Sequence, residues 1–334
     1  MLSHRLLVLA APLFLATAPL AHAETAALRC DQLAAHPGDP QKPAGIAGVA
    51  TGAIEFETAI AACREAIASD PAPRFHYQLG RALYDKDDTA GAFAEIAIAA
   101  DAGLAVAKAQ LGYFYDQGIG TTHDLKKAIA LYRAGADANV GFAAHNLAVV
   151  LRDEKDAPID HAASFALFQK AVSLGYDQSL VDVGFAYDTG NGVTQDYAEA
   201  LVWYRKAAEK DIPEAQNNIG VLYEEGNGVA QDPAEALVWY RKAQAQDYPL
   251  ADFNIAHMFA NGVGMTVDQG KAVELVLAGF EKGNADDDAF NRDFLFEDSW
   301  PAAFWSALQI KLSLPETGTL DAATRSAIEG LVGA

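Results

Sequence analysis

The chain repeats itself at a fixed interval, and that interval constrains its fold more than any local motif does. The segment from Gly190 to Ala207 recurs from Gly226 to Ala243, 36 residues on, with changes only at Thr194/Ala230 and Tyr197/Pro233. At the same offset an aspartate returns as Asp124, Asp160, Asp196, Asp232 and Asp268. A small residue after an apolar one returns as Gly112, Ala148, Gly184, Gly220 and Ala256. A unit this short cannot bury its apolar face alone, so copies must stack and share a continuous core. Five units of 36 residues occupy 105–284, and Gly80, 32 residues before Gly112, marks a shorter and looser unit over 73–104.

Each unit reads as a pair of helices. In 213–224 Ala215, Ile219, Leu222 and Tyr223 share one face, and in 233–246 Ala236, Leu237, Tyr240 and Ala243 share another. Asp232 and Asp196 precede the second helix of their units as N-caps, and Glu235 and Glu199, three residues on, are placed to complete capping boxes. Pro233 fits the first helical position, where its missing N–H has no partner to lose. The pairs Gly118/Gly120, Gly190/Gly192, Gly226/Gly228 and Gly262/Gly264 sit between the helices, where a tight turn needs positive φ. They are not a phosphate loop, because no strand precedes them and no third glycine follows at the required spacing. Nor is 188–199 a calcium loop, since Gly190 and Gly192 stand where ligands are needed.

The pattern Ala-x-x-x-(Leu/Ile)-Gly-x-x-Tyr, then Gly-x-Gly-Val-x-x-Asp, then Ala-x-x-Trp-Tyr-x-x-Ala resembles the Sel1-like repeats, relatives of the tetratricopeptide repeat. The match is strongest over 177–248 and weakest over 141–176, where Asp153–Pro158 replaces the Gly-x-Gly turn. The resemblance implies an all-α, right-handed solenoid of helix hairpins that serves as a protein-interaction scaffold. Residues 54–102 resemble a more degenerate tetratricopeptide-like start to the same array.

Rotating 100° per residue about the inward-pointing Leu147, Val183 and Ile219 puts the positions two before and two after them on the opposite side of the first helix. In a tetratricopeptide-like stack that side lines the concave groove. The earlier position holds Tyr77, Ala109, His145, Val181, Asn217 and Phe253, and the later one Arg81, Tyr113, Val149, Phe185, Val221 and His257. The two rows are mostly apolar or aromatic and hold no carboxylate, which suits an extended peptide or a partner helix. The alternative is a superhelix closed tightly enough to bury them. A third row, Gln78, Gln110, Asn146, Asp182, Asn218 and Asn254, is placed to tie adjacent repeats together or to bond a ligand backbone.

Residues 1–23 read as a signal peptide: Arg5 lies in a polar start, Leu6 to Leu20 is apolar, and Ala21-His22-Ala23 offers small residues for cleavage. The mature chain then starts at Glu24, is expected in the periplasm, and inserts in no membrane after cleavage. In that oxidising compartment Cys30 and Cys63, the only two cysteines, are expected to pair, two buried free thiols being the alternative. Residues 24–72 would form a disulfide-linked helical cap on the array. At the other end, 285–334 opens with the acidic run Asp286–Asp288 and continues into a helical cap. Gly318-Thr-Leu-Asp-Ala-Ala-Thr-Arg-Ser-Ala-Ile328 is similar to part of the small peptidoglycan-binding helical domains, so contact with peptidoglycan is a second reading of that segment.

The formal charge of -21 over 334 residues, which becomes -22 when Arg5 leaves with the signal peptide, excludes nucleic acid as a partner; 51% hydrophobic residues exclude a disordered acidic chain. The sequence contains no Gly-x-Ser-x-Gly, His-Glu-x-x-His, Cys-x-x-Cys or Gly-x-x-x-x-Gly-Lys. We therefore expect no enzyme, no cofactor and no metal site.

Overall fold

In a computed structural model, which describes residues 18–39, 42–153, 159–282 and 300–332, the described residues form sixteen α-helices and no strands. The first two are α1 (Ala18–Ala34) and α2 (Phe56–Ser69). Six hairpins follow: α3 (Pro73–Asp85) with α4 (Thr89–Asp101), α5 (Ala105–Gln117) with α6 (Leu125–Asp137), α7 (Gly141–Asp153) with α8 (His161–Ser173), α9 (Ser179–Thr189) with α10 (Tyr197–Ala208), α11 (Pro213–Glu225) with α12 (Pro233–Gln244), and α13 (Pro249–Asn261) with α14 (Gln269–Lys282). The chain ends in α15 (Ala302–Lys311) and α16 (Ala322–Val332). The all-α solenoid of stacked hairpins is as expected. The chain divides into two compact units, 1–147 and 148–334, which meet in sequence within α7. Of the signal-peptide segment, residues 1–17 lie outside the described residues, as do 154–158 and the acidic run Asp286–Asp288. No described helix is long and apolar enough to cross a membrane.

Three of the hairpins, α5–α6, α9–α10 and α11–α12, close on the same contacts. The small residue of the first helix lets the second helix lay a ring against its backbone: a Cβ on Gly220 would stand 2.5 Å from the ring of Tyr240, one on Gly184 2.6 Å from Tyr204, and one on Gly112 2.9 Å from Tyr132. Each of these tyrosines is fully buried. Its hydroxyl donates back to a carboxylate at the end of the first helix, Tyr132 to Asp116 at 3.0 Å, Tyr204 to Asp188 at 3.1 Å and Tyr240 to Glu224 at 2.7 Å. Burial first, and the adjacent carboxylate second, push all three phenols far above their ordinary pKa.

The two glycines of each turn do different work. The first, Gly118, Gly190, Gly226 or Gly262, is the left-handed residue that ends its helix. The second marks where the turn touches the hairpin before it. A Cβ on Gly228 would stand 2.5 Å from the carbonyl carbon of Tyr197, one on Gly264 2.6 Å from Pro233, and Gly120 and Gly192 press equally on the Thr89 and His161 carbonyls. In the return turn the positive φ falls at Gly103, Asn139, Gly175, Asp211 and Asp247, which also recur every 36 residues.

The aspartates cap as expected, the Asp232 and Asp196 side chains each accepting two amide hydrogens of the first turn. The capping boxes do not close. The amides of Asp124, Asp196, Asp232 and Asp268 donate instead to the carbonyls of Tyr115, Tyr187, Tyr223 and Phe259 at the end of the preceding helix. With its amide target taken, Glu235 accepts from the Trp239 indole at 2.8 Å.

In the first unit, Cys30 of α1 and Cys63 of α2 form the expected disulfide at the centre of a core that includes Ala26, Ala34, Ile60 and Phe75. His36, in the segment after α1, has its pKa lowered to about 4, by burial first and by the Arg81 charge second. Its Nδ1 accepts the Gly38 amide hydrogen at 3.0 Å, a bond that only the neutral ring makes. In the second unit, Trp300, Phe304, Trp305, Leu308 and Ile328 pack with Val276 and Phe280 of the last hairpin, so α15 and α16 share its core.

Gly220→Ala is expected to cost about 1–3 kcal/mol in urea unfolding, because the added methyl collides with a ring that has no free volume behind it. His36 is depressed below its unfolded value, so its contribution is fully present above pH 6.5 and is lost as pH falls toward about 4. Thermal melts should show the wild type losing stability across that window more steeply than His36→Gln.

Candidate partner-binding face

The expected groove residues divide by row and by unit. In the first unit Tyr77 and Arg81 are 1% and 2% exposed, so neither lines an open groove. The N-terminal segment lies over them, Arg81 donating from Nη1 to the Ala34 carbonyl and from Nη2 to the Val49 carbonyl, both at 2.6 Å. Ala109 is buried as well, whereas Tyr113 and His145 are half-buried, Tyr113 meeting Phe142 edge-on with ring centroids 6.0 Å apart.

In the second unit the earlier row is core. Val181, Asn217 and Phe253 are buried. Asn217 accepts from Asn254 at 2.8 Å, and Phe253 packs edge-on against Phe280 at 5.2 Å. The later row stays at the surface: Val149, Val221 and His257 are half-buried, and Phe185 is 39% exposed. A helical wheel puts the two rows symmetrically about the outward direction. The next hairpin covers one side only, and which side is a matter of stacking.

The polar row mostly ties neighbouring elements. Gln78 donates to Asp31 at 2.8 Å, Asp182 accepts from Arg152 at 2.6 Å, and Asn254 bonds Asn217 as above, whereas Asn146 turns back to the Phe142 carbonyl of its own helix.

Arg152 is the residue that the sequence reading passed over. It stands where three of the other hairpins carry Asp116, Asp188 and Glu224, and Phe168 stands where those three carry the tyrosine. The acid-to-phenol bond is replaced by a guanidinium 5.2 Å from the Phe168 ring and 6.0 Å from that of Phe185. Its charge is met by Asp182 at 2.6 Å and Asp153 at 2.7 Å. Lining up the units at their 36-residue offset exposes this paired exchange.

The face is not neutral, as its two rows had suggested. Carboxylates from flanking positions border it: Asp182 and Asp188 on α9, and Glu214, Glu224 and Glu225 on α11. Glu214 keeps solvent contact, yet its neighbours desolvate it enough to raise its pKa, Asp182 adding and Arg152 opposing. Glu225 is raised by burial, then by Asp188 and Glu224, and Asp188 by burial against the bond from Tyr204. His257 lies 3.6 Å from Glu224. Among the described residues no group of three or more His, Cys, Asp and Glu could hold a metal ion.

The C-terminal turn spends its polar groups internally. Gln309 and Thr324 are fully buried. Gln309 donates to Thr317, to the Thr319 carbonyl and to Thr324, and accepts from the Thr317 and Gly318 amides. Asp321 caps α16 through the Thr324 amide at 2.8 Å. Nothing in this turn favours peptidoglycan over the role of a helical end-piece.

Hairpins closed by glycine on tyrosine, spaced by a second glycine and stacked at 36 residues define a class of helical repeat proteins. A family model of the Sel1 repeat matches the chain five times, at 105–140, 141–176, 178–212, 213–248 and 249–284, and the chain belongs to that family. Sel1-repeat proteins generally mediate protein–protein interaction, and the family is typically a non-catalytic scaffold. Among solved structures, a Sel1 repeat protein from Oxalobacter formigenes is similar at a TM-score of 0.61 and 21% identity, over 77% of this chain and 96% of that one. The protein c5321, a protective antigen of uropathogenic Escherichia coli with an SLR fold, is similar at a TM-score of 0.57 and 22% identity over 82% of this chain. The match spans 64% of the length of c5321, less than two thirds. No curated protein sequence matches the chain.

Tyr240→Phe should cost about 1–2 kcal/mol in urea unfolding, since it keeps the ring and leaves the Glu224 carboxylate without its donor. A cost equal to that of Tyr240→Ala, about 3–5 kcal/mol, would show that the hydroxyl and not the ring closes the hairpin.

Proposed function

We propose that this chain is a periplasmic scaffold that binds a peptide or a partner protein along the outward face of its first-helix row, and so regulates an envelope system. The observation that carries the reading is the uncovered later row. Phe185 keeps 39% of its surface in solvent, and Val149, Val221 and His257 repeat its position, while Val181 and Phe253 one row away are sealed. Side chains repeated in register and left half-open form a surface that gains by being covered. The signal-like segment 1–23 supports export, and the disulfide agrees with an oxidising compartment. Interaction scaffolding is the general role of Sel1-repeat proteins; the compartment and the partner are the added claims.

Affinity capture from periplasmic extract with the mature chain should recover a partner protein, on a bait whose first residue is Glu24 by mass spectrometry. Recovery should be lost with Tyr113→Ala plus Phe185→Ala and with Phe185→Ala alone, at unchanged circular dichroism. Deleting 300–334 should leave capture intact. Undiminished capture by the Phe185 variants would overturn the assignment of the face.

A further inference from the structure

The first unit contains a worked example of how a first-helix face holds a non-helical segment by its backbone. Residues 46–54, which form no helix, lie on α3. There Arg81 donates to the Val49 carbonyl at 2.6 Å, and the Asp85 carboxylate accepts the Gly52 and Ile54 amide hydrogens at 2.8 and 3.3 Å. Gln78 joins them by holding Asp31. Gln78, Arg81 and Asp85 are three and four residues apart, so they form one stripe along the helix. The stripe binds backbone, through one donor and one acceptor side chain, in a segment that has neither helix nor strand and turns at 50–53.

The corresponding stripes in the second unit are Asp182, Phe185 and Thr189 on α9, Asn218, Val221 and Glu225 on α11, and Asn254, His257 and Asn261 on α13. Glu225 occupies the position of Asp85 and is exposed, as are Phe185 and Thr189. The charge around these stripes has one sign. Glu214 lies one turn before Asn218, Asp188 and Glu224 press on Glu225, and Arg152 is already engaged by Asp182 and Asp153. The other Lys and Arg residues of these repeats stand on or just after the second helices: Arg205 and Lys206 in the last turn of α10, Lys210 beyond it against Asp177, Arg241 and Lys242 in the last turn of α12, and Lys271 and Lys282 on α14, Lys282 paired with Asp252 and Asp247. Lys206 and Lys242 sit 3.7 and 3.6 Å over the Trp203 and Trp239 rings.

We propose that the outward stripes of α9, α11 and α13 seat an extended, lysine- or arginine-rich segment of a partner protein. Its backbone is held as residues 46–54 are held on α3, and an apolar side chain rests between Phe185 and Val221. The proposal depends on the partner-binding reading above and adds the chemistry of the partner. A cation brought to Glu214 and Glu225 offsets the repulsion that Asp182, Asp188 and Glu224 add to their burial, and the aliphatic stems of lysine and arginine cover Phe185 while their heads reach the carboxylates. Stacked helices about 9 Å apart make three stripes about 20 Å long, which about seven extended residues span.

The test uses the full mature chain and fluorescein-labelled peptides with the sequences Lys-Phe-Lys-Leu-Lys-Phe-Lys-Leu, the same with Glu for Lys, and the same with Ser for Lys. Fluorescence anisotropy should show binding of the lysine peptide, weakened about tenfold between about 50 and about 300 mM salt, and no binding of the glutamate peptide. Glu214→Gln plus Glu225→Gln should weaken the lysine peptide about tenfold, and Phe185→Ala should weaken it too. Glu199→Gln plus Glu209→Gln makes the same change of net charge on exposed residues of α10 and beside it, and should change affinity less than about twofold. Equal losses in the two double variants would overturn the proposal, because attraction to the acidic chain as a whole would explain binding. If the serine peptide binds as tightly as the lysine peptide and still depends on Phe185, the charge inference fails and the partner-binding face stands. If no peptide binding depends on Phe185, both fail.

Discussion

The contact on which the rest of this structure depends is the one between a small residue and a ring. Gly112, Gly184 and Gly220 let Tyr132, Tyr204 and Tyr240 lie flat on the backbone of the opposing helix, and the phenol then reaches a carboxylate one turn further on. That contact sets how closely the helices of a hairpin approach. The second glycine of each Gly-x-Gly turn sets how closely one hairpin approaches the last, because the place of its missing Cβ is taken by the preceding second helix, by backbone at Gly120, Gly192 and Gly228 and by the Pro233 ring at Gly264. With both distances set by close approach, the outward rows of the first helices are held in register within each unit.

The second and fifth of the 36-residue hairpins depart from this scheme: the fifth pairs Ala256 with Val276 and has no ring there, and the second packs Phe168 with Ala148. Phe168 retains the ring but has no hydroxyl, so an acid at position 152 would have no donor to meet; an arginine there faces the ring instead. The exchange has an outward effect. Arg152 turns toward Asp182 and Phe185, so the hairpin that lacks the Gly-x-Gly turn brings the cation to the edge of the candidate face.

Charge in this protein has two uses, and position separates them. Asp124, Asp160, Asp196, Asp232 and Asp268 are helix caps whose carboxylates are spent on amide hydrogens. Asp182, Asp188, Glu214, Glu224 and Glu225 border the outward face, where burial raises Asp188, Glu214 and Glu225 and neighbouring carboxylates add to it at Glu214 and Glu225. The acidity of the chain is therefore partly scaffold and partly surface. The rows of Val149, Phe185 and Val221 hold no carboxylate, but they lie among carboxylates.

Much of the fold was legible in the sequence, because its determinants are local. The repeat, the hairpins, the caps and the positive-φ glycines each depend on residues within a few turns of one another, and a period of 36 multiplies a weak signal by the number of copies. The single cysteine pair was legible for a different reason, since two residues admit one pairing. Contacts between units of sequence were not legible. A wheel places Val181 and Phe185, or Asn217 and Val221, at equal angles from the outward direction, and only the stacking of the next hairpin decides that Val181 and Asn217 are core while Phe185 and Val221 are surface. Likewise nothing near Tyr77 and Arg81 in sequence announces that residues 46–54 will cover them; that follows from where the disulfide and the core of α1 and α2 hold the N-terminal segment. The sequence by itself determined the repeating unit and the class of surface it builds. Tertiary structure decided which half of that surface is open and what charge surrounds it, because both depend on neighbours the helical period does not encode.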